Sequence, residues 1–274
     1  MIVFPNAKIN LGLRVVEKRG DGYHNIETVF LPIGLNDVLE FVESGDRKIS
    51  IQVSGIQLEG RPEENLVVKA WEIMHEHCGI PVVDIHLHKI IPVGAGLGGG
   101  SSDAAFMLKG LNDFFECGCT IDQLENMAST LGSDCAFFIR NKPAIGTGRG
   151  EILDPVEPEL SGYEMVLINP GLHISTRDAY NGIIPHKSER PLRELLLFPT
   201  NQWQEYLVNE FEDTVFKKHN KISEIKSDLI DAGAVYASMS GSGSSVFGIF
   251  SEGSIPEDLA DRFTGYYTWT GGLA

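Results

Sequence analysis

The chain has few cysteines, no long apolar run and less basic than acidic charge. Only 4 of its 274 residues are cysteines, and 22 lysines and arginines stand against 38 aspartates and glutamates. No stretch reaches the ~18 consecutive apolar residues of a membrane-spanning helix, so no membrane partner is expected. The N-terminal residues include neither a basic region nor a long apolar segment, so we expect no signal peptide and a cytoplasmic location.

The excess of acidic charge narrows the possible partners. A net charge of −16 repels nucleic acids and anionic lipids, which argues against both as partners. A nucleotide is also anionic, so a nucleotide site has to be locally basic. Lys8 and Lys89 are candidates for that charge, since Lys89 comes shortly before a glycine-rich loop. For the assembly we expect a monomer or a weak homodimer.

The four cysteines form no familiar metal motif in the sequence. Cys117-x-Cys119 lacks the two-residue gap of a zinc knuckle, and no second pair accompanies it. The stretch His75-Glu76-His77-Cys78 looks metal-like but has no HExxH spacing. Reduced structural cysteines and surface histidines are therefore the preferred interpretation.

The chain is organised around a glycine-rich loop at residues 92–102. An apolar, strand-like run from Ile85 to Ile91 leads into it, and Pro92 removes a backbone donor and ends the strand. Five glycines within seven residues then let backbone N–H groups approach a ligand without Cβ obstruction. We expect Ser101 or Ser102 to cap the helix that follows, and the N-terminus of a helix suits a phosphate group.

Three other interpretations of this loop fit less well. Gly94, Gly96 and Gly99 match the dinucleotide fingerprint, but no acidic residue ends a second strand ~20 positions later. The P-loop pattern fails because no lysine precedes the serine pair. A flexible Gly/Ser linker is not usually flanked by an apolar strand and an amphipathic helix. A phosphate-binding loop is the preferred interpretation.

The whole loop resembles the phosphate-binding motif of the GHMP kinases, the family named for galactokinase, homoserine kinase, mevalonate kinase and phosphomevalonate kinase. In that family the loop wraps the phosphates of ATP, so the resemblance implies ATP as co-substrate. Ala95 stands where the family frequently has glycine. The residues that carry the resemblance are Pro92, Val93, Gly94, Ala95, Gly96, Leu97, Gly98, Gly99, Gly100, Ser101 and Ser102.

Two later stretches are similar to further motifs of this family. Met239–Ser244 resembles its C-terminal glycine motif near the active site, although a tight turn between strands is the alternative. Leu131-Gly132-Ser133-Asp134, ahead of Phe137 and Phe138, is similar to a motif that carries a catalytic aspartate. Cys135 and Ala136 stand where the family often has Val-Pro, so the turn after Asp134 is expected to be looser.

The N-terminal region narrows the resemblance to one branch. Pro5–Leu11, followed by Gly20-Asp21-Gly22-Tyr23-His24, looks like the branch that phosphorylates the 2-hydroxyl of 4-diphosphocytidyl-2-C-methyl-D-erythritol. That step belongs to the non-mevalonate route to isoprenoid precursors. The alternatives are another small-molecule GHMP kinase (mevalonate, homoserine or sugar kinase type), a nucleotide-binding protein without catalysis, and a dinucleotide-dependent oxidoreductase. Tyr23 and His24 disfavour the first alternative. In the branch, a tyrosine and a histidine at these positions bind cytosine, which is not part of the substrates of the other kinases.

The resemblance implies a catalytic pair, Lys8 and Asp134. A carboxylate within hydrogen-bond reach can accept the proton of the attacking alcohol, and a nearby ammonium orients it and offsets charge at the reacting oxygens. The alternative for Asp134 is a helix N-cap ahead of the apolar run. Lys8 lies on an otherwise apolar strand, where it is either exposed at an edge or buried with a partner.

The remaining implied contacts divide between the two substrates. For ATP they come from loop 92–102, with Asn65 on the adenine side and Lys89 nearby. Mg²⁺ is expected with ATP, and Ser102 is the candidate ligand. In the branch, a tyrosine stacks on the cytosine and a histidine hydrogen-bonds its edge. The substrate-binding residues implied here are Asn10, Tyr23, His24, Thr176, Tyr180 and Gly241.

The secondary-structure pattern mixes helices and strands without regular alternation, which favours the α+β class. The resemblance implies the two-domain GHMP kinase fold, with an N-terminal domain like ribosomal protein S5 domain 2 and a C-terminal α/β sandwich. The turn-rich segment 154–158 predicts a boundary, with domains 1–155, which carries the glycine loop, and 156–274. Helices are predicted over 63–78, 121–131, 202–218 and 222–232.

Overall fold

The computed structural model describes residues 1–46, 48–188 and 190–273. Strands and helices follow one another without regular alternation, as the α+β class requires. The strands are β1 (Ile2–Val3), β2 (Asn6–Lys18), β3 (His24–Asn36), β4 (Val38–Glu43), β5 (Ser50–Gly55), β6 (Val83–Lys89), β7 (Ala144–Thr147), β8 (Ile152–Pro155), β9 (Tyr163–Asn169), β10 (Tyr236–Met239), β11 (Val246–Ser251) and β12 (Tyr267–Leu273). The helices are α1 (Leu66–Cys78), α2 (Gly99–Phe114), α3 (Ile121–Leu131), α4 (Cys135–Arg140), α5 (Thr176–Tyr180), α6 (Leu192–Leu195), α7 (Trp203–Tyr206), α8 (Glu212–Lys218), α9 (Asn220–Asp231) and α10 (Leu259–Arg262).

The chain divides into two compact units that are not consecutive in sequence. Unit 1 comprises Met1–Ala7, Leu35–Val93 and Gly98–Lys142. Unit 2 comprises Lys8–Gly34, Gly94–Leu97 and Pro143–Ala274. Each unit therefore takes part of the glycine-rich region, because the chain leaves unit 1 after Val93 and returns to it at Gly98.

Unit 1 combines a four-stranded sheet with helices α1 to α4. The strand order is β1-β4-β6-β5, in which β5 and β6 run parallel and the other two pairs run antiparallel. Along β6 every second residue is buried, including Val83, Ile85 and Leu87. This period of two buries one face of the strand. Strand β6 ends at Lys89, just before the glycine loop.

Helix α1 shows how local chemistry fixes the bounds of an element in unit 1. The Asn65 side chain caps it by accepting a hydrogen bond from the Val67 amide at 2.9 Å. Gly79 ends it in the left-handed conformation, with φ of 67°. The predicted helix over 63–78 is confirmed except for its first residues, which form a short 3₁₀ turn from Pro62 to Glu64.

A buried ionic cluster anchors the strand end that precedes the glycine loop. Lys89, 3 % exposed, donates from Nζ to carboxylate oxygens of Asp37 and Asp103, the latter at 2.6 Å. The other oxygen of Asp37 accepts the Ile90 and Ile91 amides at 2.5 and 2.9 Å. One ammonium therefore serves two carboxylates, and Asp37 also satisfies backbone donors that the end of the strand leaves unpaired.

Asp103 is the carboxyl group of this cluster whose pKa is raised. Burial, the largest cause, and the neighbouring Asp37 together raise its pKa from 3.8 to about 7, against the opposing effect of Lys89. Asp37 accepts hydrogen bonds from two amide N–H groups and from the ammonium. Among the described residues, Oδ1 of Asp103 has no hydrogen-bond partner, so a proton is easily placed on this carboxyl group.

We predict that Lys89→Met lowers the free energy of unfolding by about 3–5 kcal/mol, because it leaves two buried carboxyl groups without their cation. Urea unfolding followed by circular dichroism measures this change. The matched control is Lys69→Met on the exposed face of α1, expected within about 0.5 kcal/mol of the wild type. A Lys89→Met protein as stable as the control would show that the ion cluster does not support the fold.

The raised pKa of Asp103 predicts a pH dependence of stability. Between pH 3.8 and about 7 the folded chain holds a proton at Asp103 that the unfolded chain has released. The Asp103 contribution to stability is therefore complete at low pH and is lost as pH rises through this window, by an amount on the order of a few kcal/mol. Asp103→Asn should remove this pH dependence. The difference between the unfolding free energies of the wild type and the variant is therefore expected to change with pH across this window. A pH-independent difference would contradict the assignment.

Unit 2 contains two further four-stranded sheets. One has the order β10-β11-β9-β12 with antiparallel neighbours, and the other has the order β2-β3-β7-β8. The core of the unit includes Val166 and Ile168 from β9, Met239 from β10, and Val246 and Phe250 from β11. Strands β10 and β11 flank the second glycine loop and β9 pairs with β11, so packing of the core fixes where that loop begins and ends.

The helix predicted over 202–218 is wrong in its middle. Here a 3₁₀ turn and α7 end at Tyr206, and α8 begins only at Glu212. The intervening backbone pairs with β2: the Leu13 amide donates to the Val208 carbonyl and the Glu210 amide to the Leu13 carbonyl, both at 2.9 Å. These long-range hydrogen bonds replace helical ones. The helix over 121–131 is confirmed, and α9 matches the helix predicted over 222–232 to within two residues.

Candidate active site

Along the first glycine loop, every second residue from Gly94 to Gly98 has the left-handed backbone conformation. Gly94, Gly96 and Gly98 have φ of 63°, 78° and 70°, a region that residues with a Cβ seldom adopt. Ala95 is not in this region, so an alanine is compatible with the backbone at the position where the family frequently has glycine.

Helix α2 begins earlier than the sequence predicted. Gly98 is its N-cap and Gly99 its first residue, so the expectation that Ser101 or Ser102 caps it is wrong. Both serines lie inside the first turn, because left-handed glycine at 98 lets the chain enter the helix sooner. The N-cap residue Gly98 has no side chain that could cap the helix, so no capping oxygen from this residue occupies the first N–H groups, which suits anion binding.

Within unit 2, Gly96 lies directly against the second glycine loop, Ser240–Ser244. A Cβ at Gly96 would be 1.9 Å from the Ser240 carbonyl oxygen, so this close approach requires glycine. The Ser240 hydroxyl donates to the Gly96 carbonyl at 2.8 Å, and the Ser245 amide donates to the Ala95 carbonyl at 3.3 Å. Two glycine motifs that lie far apart in the sequence are thus packed together.

Lys8 reaches the same place from β2. It is 4 % exposed, and its Nζ donates to Asn10 Oδ1 at 2.6 Å and to the Gly96 carbonyl at 3.0 Å. The ammonium also lies 5.3 Å from the centroid of the Phe30 ring, within range of a cation–π interaction. Of the two positions expected for Lys8, the structure has the buried one with partners.

Asn10 connects the lysine to strand β3 and to the second glycine loop. Its Nδ2 donates to the Thr28 hydroxyl at 3.0 Å, and its Oδ1 lies 3.2 Å from where a Cβ of Gly241 would be. Asn209 holds the second glycine loop in place by donating to the carbonyls of Met239 and Gly241 at 2.7 and 2.8 Å. Sequence reasoning missed Thr28 and Asn209, since neither lies in a recognisable motif.

Three aromatic side chains predicted to contact the cytosine lie in unit 2. The His24 and Tyr180 rings are stacked, with centroids 4.6 Å apart and planes 13° apart. Tyr180 also meets Phe211 edge-on at 4.7 Å. Tyr23 is 57 % exposed and has the Arg149 guanidinium 5.3 Å from its ring centroid. The structure therefore pairs Tyr180 with His24 and leaves much of Tyr23 open.

His24 and Thr176 have environments suited to binding an uncharged polar group. Burial, with a smaller effect of Lys18, lowers the pKa of His24 below 6.5, so its imidazole is neutral at pH 7. A neutral imidazole offers one donor and one acceptor. The Thr176 hydroxyl lies 3.5 Å from that of Ser242, so the start of α5 lies beside the second glycine loop.

The other predicted residues belong to unit 1. Asp134 occupies the N-cap position of α4, but its side chain makes no capping hydrogen bond, so the capping alternative is not realised. The Ser102 hydroxyl is fully buried and has no hydrogen-bond partner among the described residues. Asn65 is the N-cap of α1, and Lys89 is held in the ionic cluster described above. The nucleotide contacts expected of Asn65 and Lys89 stay predictions.

Comparison with known proteins places the chain in a family. Residues 65–142 match the GHMP kinases N terminal domain and residues 188–267 the GHMP kinases C terminal domain. The chain belongs to the GHMP kinase family, and it has that family's two-domain fold. Within the family it belongs with the 4-diphosphocytidyl-2-C-methyl-D-erythritol kinases, because it is similar to proteins of that name over nearly their whole length.

Three similarities support this grouping. The Bacteroides thetaiotaomicron protein named 4-diphosphocytidyl-2-C-methyl-D-erythritol kinase is 54 % identical over 94 % of this chain and 95 % of its own. The Parabacteroides distasonis protein of the same name is 50 % identical over 100 % of both chains. A crystal structure of 4-(cytidine 5'-diphospho)-2C-methyl-D-erythritol kinase superimposes with a TM-score of 0.79 and 31 % identity, covering 100 % of both chains.

Proposed function

We propose that the chain transfers the γ-phosphoryl group of ATP to the 2-hydroxyl of 4-diphosphocytidyl-2-C-methyl-D-erythritol, giving the 2-phosphate and ADP. This reaction belongs to the non-mevalonate route to isoprenoid precursors. One observation carries the proposal: the Lys8 ammonium donates a hydrogen bond to the Gly96 carbonyl at 3.0 Å. The N-terminal motif of the kinase branch and the phosphate-loop motif of the family therefore meet at one buried cation.

The proposed ATP site uses backbone donors more than side chains. Left-handed glycines at 94, 96 and 98 and the uncapped first turn of α2 support binding of phosphates by residues 92–102. Asn65 is proposed to contact the adenine. For Lys89 we propose support of the strand end before the loop, because its ammonium already has two carboxylate partners.

Mg²⁺ is proposed to accompany ATP, where it offsets the charge of the phosphate groups. The residues present fit one protein ligand: the Ser102 hydroxyl is a neutral oxygen donor, and it has no hydrogen-bond partner among the described residues. Mg²⁺ commonly takes most of its ligands from phosphates and water, so one hydroxyl is enough for the proposed site.

Asp134 is proposed as the base that accepts the proton of the 2-hydroxyl. An alcohol is a weak nucleophile, and a carboxylate is a suitable acceptor as the oxygen attacks phosphorus. The resemblance of Leu131-Gly132-Ser133-Asp134 to the family motif that carries a catalytic aspartate supports this role. Lys8 is proposed to stabilise negative charge on the reacting oxygens, and Asn10 to bind the erythritol hydroxyls beside it.

We predict that Asp134→Asn lowers kcat by ~10²–10⁴-fold, because the amide keeps the shape of the side chain but cannot accept the proton. Coupled detection of ADP release measures kcat, and calorimetry should find ATP affinity nearly unchanged. Asp113→Asn, an exposed substitution near the end of α2, is the matched control and should retain wild-type turnover. Wild-type kcat in Asp134→Asn would remove the carboxylate from the mechanism.

The cytosine is proposed to bind at Tyr23, His24 and Tyr180, with Thr176 and Gly241 positioning the rest of the substrate. We predict that His24→Ala raises KM for the cytidyl substrate and leaves KM for ATP unchanged. A uridyl analogue should lose up to ~10⁴–10⁵ in kcat/KM with the wild type, because polar groups that pair with cytosine are left unpaired against uracil.

The same ADP-release assay separates this substrate from those of other GHMP kinases. Galactose, homoserine and mevalonate should give no turnover above background. Equal use of the cytidyl and uridyl compounds by the wild type, unaffected by His24→Ala, would contradict the cytosine site. Turnover of mevalonate or homoserine in place of the cytidyl compound would instead favour another small-molecule kinase of the family.

The remaining features concern domains, location and partners. A division into domains 1–155 and 156–274 stays a proposal: the family matches support it by ending at 142 and beginning at 188, while the compact units of the fold cross residue 155. Among the described residues, the structure has no helix long and apolar enough to cross a bilayer. A cytoplasmic location, a monomer or weak homodimer, and the lack of a nucleic-acid or membrane partner stay predictions.

A further inference from the structure

Four side chains of unit 1 that the proposed kinase reaction does not use lie around one surface cavity. The cavity has a volume of about 480 Å³, and its lining includes His77, Cys78, Cys117 and Cys119. The ligand atoms of His77, Cys78 and Cys119 all lie within 4.8 Å of one another. The Cys117 thiol lines the same cavity, and it donates a weak hydrogen bond to the Leu111 carbonyl at 3.8 Å. The stretches 75–78 and 117–119, whose residue spacings match no known metal motif, are therefore neighbours in the fold.

We propose that His77, Cys78 and Cys119 bind a Zn²⁺ ion. Cys117 lines the same cavity and would become the fourth ligand when its thiol turns away from the Leu111 carbonyl. Two sulfurs bound at ~2.3 Å to one tetrahedral zinc ion lie ~3.8 Å apart. The Cys78 and Cys119 sulfurs are 3.6 Å apart, close to this value and far from the ~2.0 Å of a disulfide bond. Three thiolates and one imidazole form a donor set that is common in structural zinc sites.

The two segments that supply the ligands are held in place by other contacts. His77 and Cys78 are the last residues of α1, and the chain turns away at Gly79. Asn112, in the last turn of α2, holds the loop that follows: its Oδ1 accepts a hydrogen bond from the Cys119 amide at 2.8 Å, and its carbonyl accepts one from the Cys117 amide at 3.0 Å. Helices α1 and α2 pack against each other, so the ligands need little ordering when the ion binds.

The ion would cross-link the C-terminal end of α1 to the loop between α2 and α3. His77 is exposed and the three cysteines are partly buried, so an ion from solvent can reach the site without opening the core. Zinc that binds the folded chain more tightly than the unfolded one stabilises it by mass action. This stabilising role is independent of the phosphoryl-transfer reaction, and it concerns only α1 and the loop between α2 and α3.

Titration of the untagged, reduced, metal-free chain with Zn²⁺ against a chromophoric chelator tests the proposal. We expect one tight site per chain and a higher midpoint of thermal unfolding with zinc. Co²⁺ in place of Zn²⁺ should give the visible absorption of a tetrahedral ion together with thiolate-to-cobalt charge transfer. Cys78→Ser, Cys119→Ser, Cys117→Ser and His77→Gln should each weaken Zn²⁺ binding by at least ~10-fold, since even outer-shell partners cost 10–100-fold.

Matched controls lie on the same elements but outside the cluster. His75→Gln changes another histidine of α1, and Cys135→Ala removes the buried cysteine of α4; both should bind zinc like the wild type. Circular dichroism confirms that each variant is folded, and the solvent-facing His77→Gln keeps the test valid where a cysteine variant does not fold. Absence of a saturable site, wild-type affinity in Cys78→Ser and Cys119→Ser, or a mass showing a disulfide in the chain kept under reductant would overturn the proposal.

Discussion

The close approach of the Gly96 backbone to the Ser240 carbonyl is the constraint on which the candidate site of unit 2 depends. A side chain at position 96 would overlap that oxygen, so glycine is needed both for its φ of 78° and for the space it leaves. With this contact made, the Gly96 carbonyl can accept hydrogen bonds from the Lys8 ammonium and the Ser240 hydroxyl together. A buried lysine needs such acceptors, since its desolvation is otherwise costly.

Two different lysines have the two proposed roles: Lys89 supports the strand end before the glycine loop, and Lys8 takes part in the chemistry. Lys89 is nearer to the loop in sequence, and this position made it a candidate for binding phosphate. In the fold its charge is shared between Asp37 and Asp103, and Asp37 also binds the two amides that follow the strand. Lys8 is far from the loop in sequence, yet its ammonium is bonded to it. Sequence distance is thus a poor guide to which ammonium group contacts the loop.

The features predicted correctly from the sequence are those encoded in a short stretch. The helix over 121–131 has apolar residues at helical spacing and a capping box between Thr120 and Gln123, and its bounds are confirmed. The family follows from motifs that each occupy a few residues, and the α+β class from the irregular order of helix and strand patterns along the chain.

The features that were missed depend on partners distant in the chain. The helix predicted over 202–218 is interrupted because the segment around Asn209 pairs with β2. Asn209 then binds two carbonyls of the second glycine loop, a role that no local pattern announces. The cysteines failed the spacing test for a zinc knuckle because α1 and α2, and not a short loop, bring them together. The start of α2 was misplaced because a glycine cap leaves no side-chain signal.

The stacked pair of His24 and Tyr180 decides how a cytosine would gain binding energy in unit 2. A base that stacks on this face of Tyr180 replaces the imidazole ring, so the stacking energy it gains is offset by the stacking that is lost. The net gain must then come from contacts absent in the free protein: the exposed face of Tyr23, and hydrogen bonds to a displaced His24. Because burial keeps His24 neutral at pH 7, that ring can donate at one nitrogen and accept at the other. Hydrogen bonds, more than stacking on Tyr180, would therefore set the preference for cytosine over uracil, since both bases present a similar π-face.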